Sequence, residues 1–174
     1  MMSPVCNPIY KNYNLKGLMF ITQPTRPRVV KRVRAILLTG DGKIMFIKRV
    51  KPNVPPYWVA PGGGVENEDH TLLETLNREL HEELGATFSV LREAFILEHE
   101  KAGKQLEEHF FICKLHDYDL SLRCGPEFDD PSRGEFLPDA VEINKATIAG
   151  VHIKTVELAE WLMENTRLLK RLAR

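Results

Sequence analysis

Apolar positions change period along this chain, and the changes mark its elements. "RVRAILLT" and "KIMFIKRV" are dense apolar runs on either side of Gly40-Asp41-Gly42, a turn chemistry that predicts a β-hairpin. "KPNVPP" predicts a loop, because prolines remove ladder donors, and "YWVA" then reads as a short strand entering Pro61-Gly62-Gly63-Gly64. The period switches next: Leu73, Leu76, Leu80 and Leu84 recur at helical spacing. Thr71 and Glu74 make a T-L-L-E capping box that starts this helix near Leu72, and Gly85 supplies its left-handed stop. Two long strands follow, "FSVLREAFILEHE" and "LEEHFFICKL", joined around "KAGKQ", and "PDAVEI" reads as a weaker one. From Thr155 onward, Val156, Leu158, Ala159, Leu162 and Leu169 predict an amphipathic closing helix.

Residues 1–28 carry Pro4, Pro8, Pro24 and Pro27 and no sustained period. They read as an N-terminal extension with one short strand near "LMFIT", ahead of a single domain over 29–174. A chain of 174 residues is long enough for one core that buries about 70% of its unfolded surface. "CGPEFDDPSRGEF" is a polar loop of the length that carries function or disorder. There is no internal repeat.

The formal net charge is zero, so no global field predicts a nucleic-acid or membrane partner. Locally the balance breaks. Arg26, Arg28, Lys31, Arg32 and Arg34 lie in a stretch without acids, whereas residues 66–83 hold seven acids against Arg78 alone. Cys6, Cys113 and Cys124 are odd in number and lack C-x-x-C spacing, which argues against a disulfide framework or a zinc site and fits a reducing cytoplasm. No run approaches the roughly 18 apolar residues of a membrane span. The N-terminus has no basic stretch before an apolar core, so no signal peptide is expected.

The most unusual stretch is "RELHEELG", residues 78–85. Acids near a helix C-terminus are disfavoured by roughly 0.3–1 kcal/mol each, and the pairs Glu79/Glu82 and Glu79/Glu83 repel by a few tenths more. One reading is a solvated helix face. The other is a hard divalent cation, since carboxylates three and four apart converge on one side and Mg²⁺ takes a few carboxylates together with water and phosphate oxygens. Spacing alone does not separate the two readings. The adjacent Gly62-Gly63-Gly64 favours the second, because glycine lets a ligand approach the backbone, although a triple glycine is often a plain turn.

Residues 62–86, "GGGVENEDHTLLETLNRELHEELGA", resemble the Nudix box, G-x5-E-x7-R-E-U-x-E-E-x-G-U with U a bulky aliphatic. "RELHEELG" matches in full, and "PYWVAPGGGVE" is similar to the family's approach to the box. Counted back from Arg78, the first box glutamate falls on His70; counted from Gly63 it falls on Asp69, with one extra residue before Arg78. The second register aligns "GGGVE" better. Ala86 is small for the last aliphatic position. The resemblance covers 29–174 and implies an α+β fold, an α/β/α sandwich around a mixed β-sheet. It further implies a cytoplasmic, Mg²⁺-dependent hydrolase (Mn²⁺ as substitute) cleaving the diphosphate of a nucleoside diphosphate linked to a group X. Carried over by residue, Glu79, Glu82 and Glu83 hold metal with the Gly63 carbonyl, and Arg78 orients the glutamates. Glu79 or a loop acid, with Glu127 as the candidate, takes a proton from water. The expected partner is a small nucleotide, with no membrane or nucleic acid, and a homodimer is left open.

Other candidates are read against plainer roles. Arg34 and Arg49 could meet substrate phosphates, although strand-edge lysines and arginines commonly guard against aggregation. Trp58 or Tyr57 could stack a nucleobase or simply pack. "EHE" at 98–100 and "EEH" at 107–109 look like metal pairs, but strand alternation sends neighbours to opposite faces and favours cross-strand polar pairs. The altered first acid leaves a rival reading, a nucleotide-sensing module that binds without turnover. Sequence does not name X.

Overall fold

The computed structural model describes residues 29–125 and 128–174, and upstream of these only the backbone of residues 12–13 and 19–20. The upstream residues form an antiparallel pair, β1 (Asn12–Tyr13) and β2 (Met19–Phe20), so the strand expected near "LMFIT" is two residues long. The main sheet holds β3 (Val30–Leu38), β4 (Lys43–Lys51), β5 (Val54–Val59), β6 (Ala86–Lys101), β7 (Lys104–Tyr118) and β8 (Glu135–Glu142). The strand order is β5-β4-β3-β7-β6, with β8 also on β4. Only β3 and β7 run parallel; the other pairs are antiparallel. The sheet is therefore mixed, as expected.

Alternation along β3 divides the interior in two. Val33, Ala35 and Leu37 face one side with Leu76, Leu80 and Leu84 of helix α1 (Leu72–Leu84). Ile36 and Leu38 face the other. There they meet α2 (Lys145–Gly150), α3 (Val156–Glu164) and α4 (Thr166–Ala173) through Ile148, Leu158, Leu162 and Leu169. This is the expected sandwich of helices around a sheet.

Four local expectations need correction. Pro55 and Pro56 lie within β5 rather than in a loop; β5 ends the strand order, where a missing N–H costs no ladder bond. Leu73 is exposed, and the buried stripe of α1 is Leu76, Leu80 and Leu84 with fully buried Thr75. By angle Leu73 falls within that stripe, between Leu80 and Leu84, so its exposure comes from its place in the first turn of α1 and not from the period. The closing helix is two helices, interrupted at Asn165 (φ −101°, ψ 14°), whose side-chain amide donates to the Trp161 carbonyl at 2.8 Å. Val156 at its start is exposed. Helix α2, too short to show a period, begins at an Asn144 side-chain cap on the Thr147 N–H.

Candidate active site

After β5 the chain continues as a false strand beside β3. Ala35 N–H donates to Pro61 O at 2.8 Å, Val33 N–H to Gly63 O at 2.9 Å, and Val65 N–H to Lys31 O at 3.1 Å. Gly62 has φ +126°, and a Cβ there would run into the Val33 carbonyl. A Cβ at Gly63 would overlap the Glu79 carboxylate. The glycines thus let backbone and acids share one small space.

Helix α1 enters that space with defined ends. Its capping box is complete: Glu74 N–H donates to Thr71 Oγ1 at 3.1 Å and Thr71 N–H to Glu74 Oε2 at 3.2 Å. At the other end Gly85 takes φ 59°, ψ 33°. The carbonyls there are satisfied from outside the helix, by Arg123 Nε to Glu83 O at 2.8 Å and Cys124 N–H to Glu82 O at 3.0 Å. A guanidinium on the terminal carbonyls opposes the negative helix end, which offsets part of the cost of placing three glutamates there. Arg123 also donates to Phe136 O at 2.9 Å, joining the helix to β8. Nothing in the sequence singles it out, because it lies 40 residues from its partner Glu83.

Arg78 gathers the acids. Its Nη1 lies 3.1 Å from both Glu79 Oε1 and Glu82 Oε2, and its Nη2 donates to Gly64 O at 2.9 Å. Asp69 takes it with both oxygens, at 2.9 and 3.2 Å, and also accepts from Glu66 N–H at 2.9 Å. His70 contributes its backbone N–H to Glu74 and its side chain is exposed. The Arg78 guanidinium holds the Asp69 carboxyl down at about 2. Asp69 being depressed, its contribution to stability is complete above the ordinary carboxylate range and is lost as pH falls toward about 2. On the expectation that the helix acids hold metal, Asp69→Asn should cut turnover by about 10- to 100-fold, the range for a residue behind a metal ligand. His70→Ala should leave turnover near the parent's; the reverse order in a steady-state assay would give the role to His70.

Burial pushes the Glu79 carboxyl upward, Arg78 opposes it, and the neighbouring Glu82 charge adds to the rise. Glu83 accepts from Gly62 N–H at 2.7 Å. Among the described residues no three His, Cys, Asp or Glu side chains already converge as a metal cage; Glu79 and Glu82 both turn toward Arg78. The donor set still suits a hard cation. Glu79 lies against Gly63 and Glu83 accepts from the Gly62 N–H, so two of the three acids meet the glycine backbone, and Mg²⁺ needs few protein ligands when phosphates supply the rest.

Gly62 and Glu83 open onto a cleft of about 440 Å³, lined also by Arg32, Arg34, Arg49 and Tyr57. Arg34 reaches the Gly62 carbonyl through Nη1. Arg49 lines the cleft while its guanidinium lies 3.3 Å over the Phe136 ring. Trp58, expected at the substrate, is not among the lining residues. Its indole N–H donates to Asp139 Oδ2 at 2.7 Å and its ring packs on the core, because alternation in β5 turns it away from Tyr57. Glu127 lies outside the described residues.

Sequence reading passed over Lys154 and gave Glu108 and His99 only a pairing role. Lys154 is brought to the cleft because its N–H donates to Trp58 O at 2.9 Å. Glu107 and His109 face the opposite side, where His109 bridges Glu93 across strands and Glu107 along its own strand at 2.7 Å each, a polar pairing. Burial pushes the Cys113 thiol up to about 12, which excludes it as a nucleophile.

Residues 29–158 match the sequence profile of the NUDIX domain. The chain belongs to that family, the Nudix hydrolases, which act on pyrophosphate bonds and generally use divalent metal ions. A U8 snoRNA-decapping enzyme of Xenopus laevis is 30% identical over 94 residues, covering 54% of this chain and 36% of the relative, so the match spans about a third of that protein. A NUDIX hydrolase from Nitrosomonas europaea superposes with a TM-score of 0.60 at 17% identity, covering 82% of this chain and 91% of the other. A C. elegans Ap4A hydrolase gives 0.58 at 17% identity, covering 80% and 97%. Among the described residues no helix is long and apolar enough to cross a membrane.

Proposed function

We propose that this protein hydrolyses the diphosphate linkage of a nucleoside diphosphate joined to a further group X, with Mg²⁺ or Mn²⁺ held by Glu79, Glu82, Glu83 and the Gly63 carbonyl. The observation that carries the reading is the Glu83–Gly62 hydrogen bond, which sets the acidic face of α1 at the mouth of a cleft walled by arginines. A bound divalent ion neutralises diphosphate, polarises phosphorus and lowers the pKa of water. The remaining work falls to the chain itself. Arg34 and Lys154 offset phosphate charge along the cleft, and Arg78, fixed by Asp69, keeps Glu79 and Glu82 on one side. Burial raises the Glu79 carboxyl above its ordinary value, and Glu79 is the candidate acceptor of a proton from water, with Glu127 the alternative. Tyr57, lining the cleft with Lys154 at 5.1 Å over its ring, takes the stacking role in place of Trp58.

The test is a panel of ADP-ribose, nucleoside triphosphates, dinucleoside polyphosphates and a capped RNA oligonucleotide, scored for phosphate-bond cleavage with Mg²⁺. The RNA is included because of the decapping relative. Hydrolysis of at least one member that stops with EDTA supports the reading. Tight binding of one member with no cleavage of any would instead support the sensing module.

A further inference from the structure

Arg32, Arg34 and Glu108 form a triad in the cleft, on adjacent parallel strands in direct register, Arg32 opposite Glu108. Glu108 is buried, yet its nitrogen neighbours hold it loosely: Arg32 Nε at 3.4 Å, Arg34 Nε at 3.6 Å and His99 Nε2 at 3.8 Å. These separations exceed the usual 2.7–3.2 Å or so of an N–H···O bond. Among the described residues, Arg32 Nε and His99 Nε2 are buried atoms without a hydrogen-bond partner. A buried polar atom of this kind costs free energy until a partner arrives, and for the Arg32 N–H that partner is an acceptor. Burial and the neighbouring Arg34 charge also push the Arg32 pKa down, a strain that an added anion relieves.

The composition of the walls says what kind of acceptor. Among the described residues the cleft is lined by five arginines and lysines against three glutamates, its hydroxyls are those of Tyr57 and Thr155, and no Asn or Gln is among them. A neutral sugar is recognised through several such groups, whereas phosphate is recognised by fixed cationic donors. Arg34 is already at the Gly62 carbonyl beside Glu83. Arg32 lies two residues back on the same face of β3, about 7 Å away, with His99 and Lys101 beyond it on β6.

Resting on the proposed hydrolase reading, we infer that Arg32, His99 and Lys101 form an anion subsite for a third phosphoryl group. The preferred substrates are then nucleoside triphosphates or dinucleoside polyphosphates, not a nucleoside diphosphate joined to a neutral sugar. Glu108 is a positioning residue that keeps the two arginines side by side when the cleft is empty.

Two measurements decide this. In steady-state kinetics, the parent should prefer ATP or diadenosine tetraphosphate to ADP-ribose, and Arg32→Gln and His99→Gln should each lower kcat/KM for the polyphosphate about tenfold, the value of one charge-assisted hydrogen bond. The loss should fall mainly on KM, with ADP-ribose changed far less, and Arg32→Lys should recover part of it. ATP against diadenosine tetraphosphate then tells whether a second nucleoside is accommodated. In calorimetry with Mg²⁺, the parent should bind inorganic tripolyphosphate more tightly than pyrophosphate, and His99→Gln should narrow that difference. Preferential hydrolysis of ADP-ribose, or equal losses on both substrates, would overturn the subsite while leaving the hydrolase intact. Should nothing be hydrolysed, the hydrolase reading fails and calorimetry alone decides: tripolyphosphate bound no better than pyrophosphate removes the subsite.

Discussion

Glu82→Gln is expected to abolish practical turnover while leaving the metal-free protein as stable as the parent. Glu82 shares Arg78 Nη1 with Glu79 at 3.1 Å each, and Asp69 holds the rest of that guanidinium, so the arginine keeps its place without Glu82. The lost i,i+4 pair is worth only about 0.3–0.5 kcal/mol, and removing one like charge near the helix end returns a similar amount. With metal the balance differs. A ligand at 100 times its dissociation constant stabilises by about 2.7 kcal/mol, several degrees of melting temperature for a chain of this size. The Mg²⁺-induced shift should therefore shrink in Glu82→Gln. Activity should fall by at least about 100-fold, the upper figure for residues that merely support a ligand. Melting curves with and without Mg²⁺, read beside an activity assay, check all three outcomes. A clear loss of metal-free stability with shift and activity intact would make the cluster structural.

The three consecutive glycines should separate by alanine substitution. Gly62→Ala combines a left-handed backbone with a Cβ driven into the Val33 carbonyl, and should lose about 2–3 kcal/mol or more of stability. At Gly63 the obstruction is the Glu79 carboxylate, a side chain that can swing away. Gly63→Ala should therefore fold and melt within a few degrees of the parent, and on the role proposed for Glu79 it should lose about 100-fold in turnover, the cost of a misplacement of about 1 Å. Gly64 has nothing within 4 Å of an added Cβ, and Gly64→Ala should change stability by no more than about 0.5 kcal/mol. Full activity in Gly63→Ala would show that Glu79 does not need the position it occupies.

Local rules wrote much of this molecule into its sequence. The Thr71–Glu74 box and Gly85 fixed both ends of α1, because caps are satisfied within one turn of the residues that make them. Gly40-Asp41-Gly42 placed the β3–β4 hairpin, and unbroken apolar runs marked the central strands. The spacing of Arg78, Glu79, Glu82 and Glu83 put the candidate cluster on one helix face before any contact was known. Where several local choices were nearly equal in energy, the sequence was less informative: Leu73 fits the helical period as well as Leu76 does, and nothing local forbids a single closing helix through Asn165.

Only the tertiary structure decided which distant residues meet. Asp69 rather than His70 takes Arg78, because the turn before Thr71 delivers its carboxylate there. Arg123 reaches the end of α1 from 40 positions away, and Trp58 turns to Asp139 while Tyr57 lines the cleft. The parallel pairing of β3 with β7, on which the Arg32–Glu108 contact depends, joins residues 76 positions apart. Periodicity and capping act over a few residues and so can be read from neighbours; contacts of this kind exist only once the sheet has closed and every strand has its register.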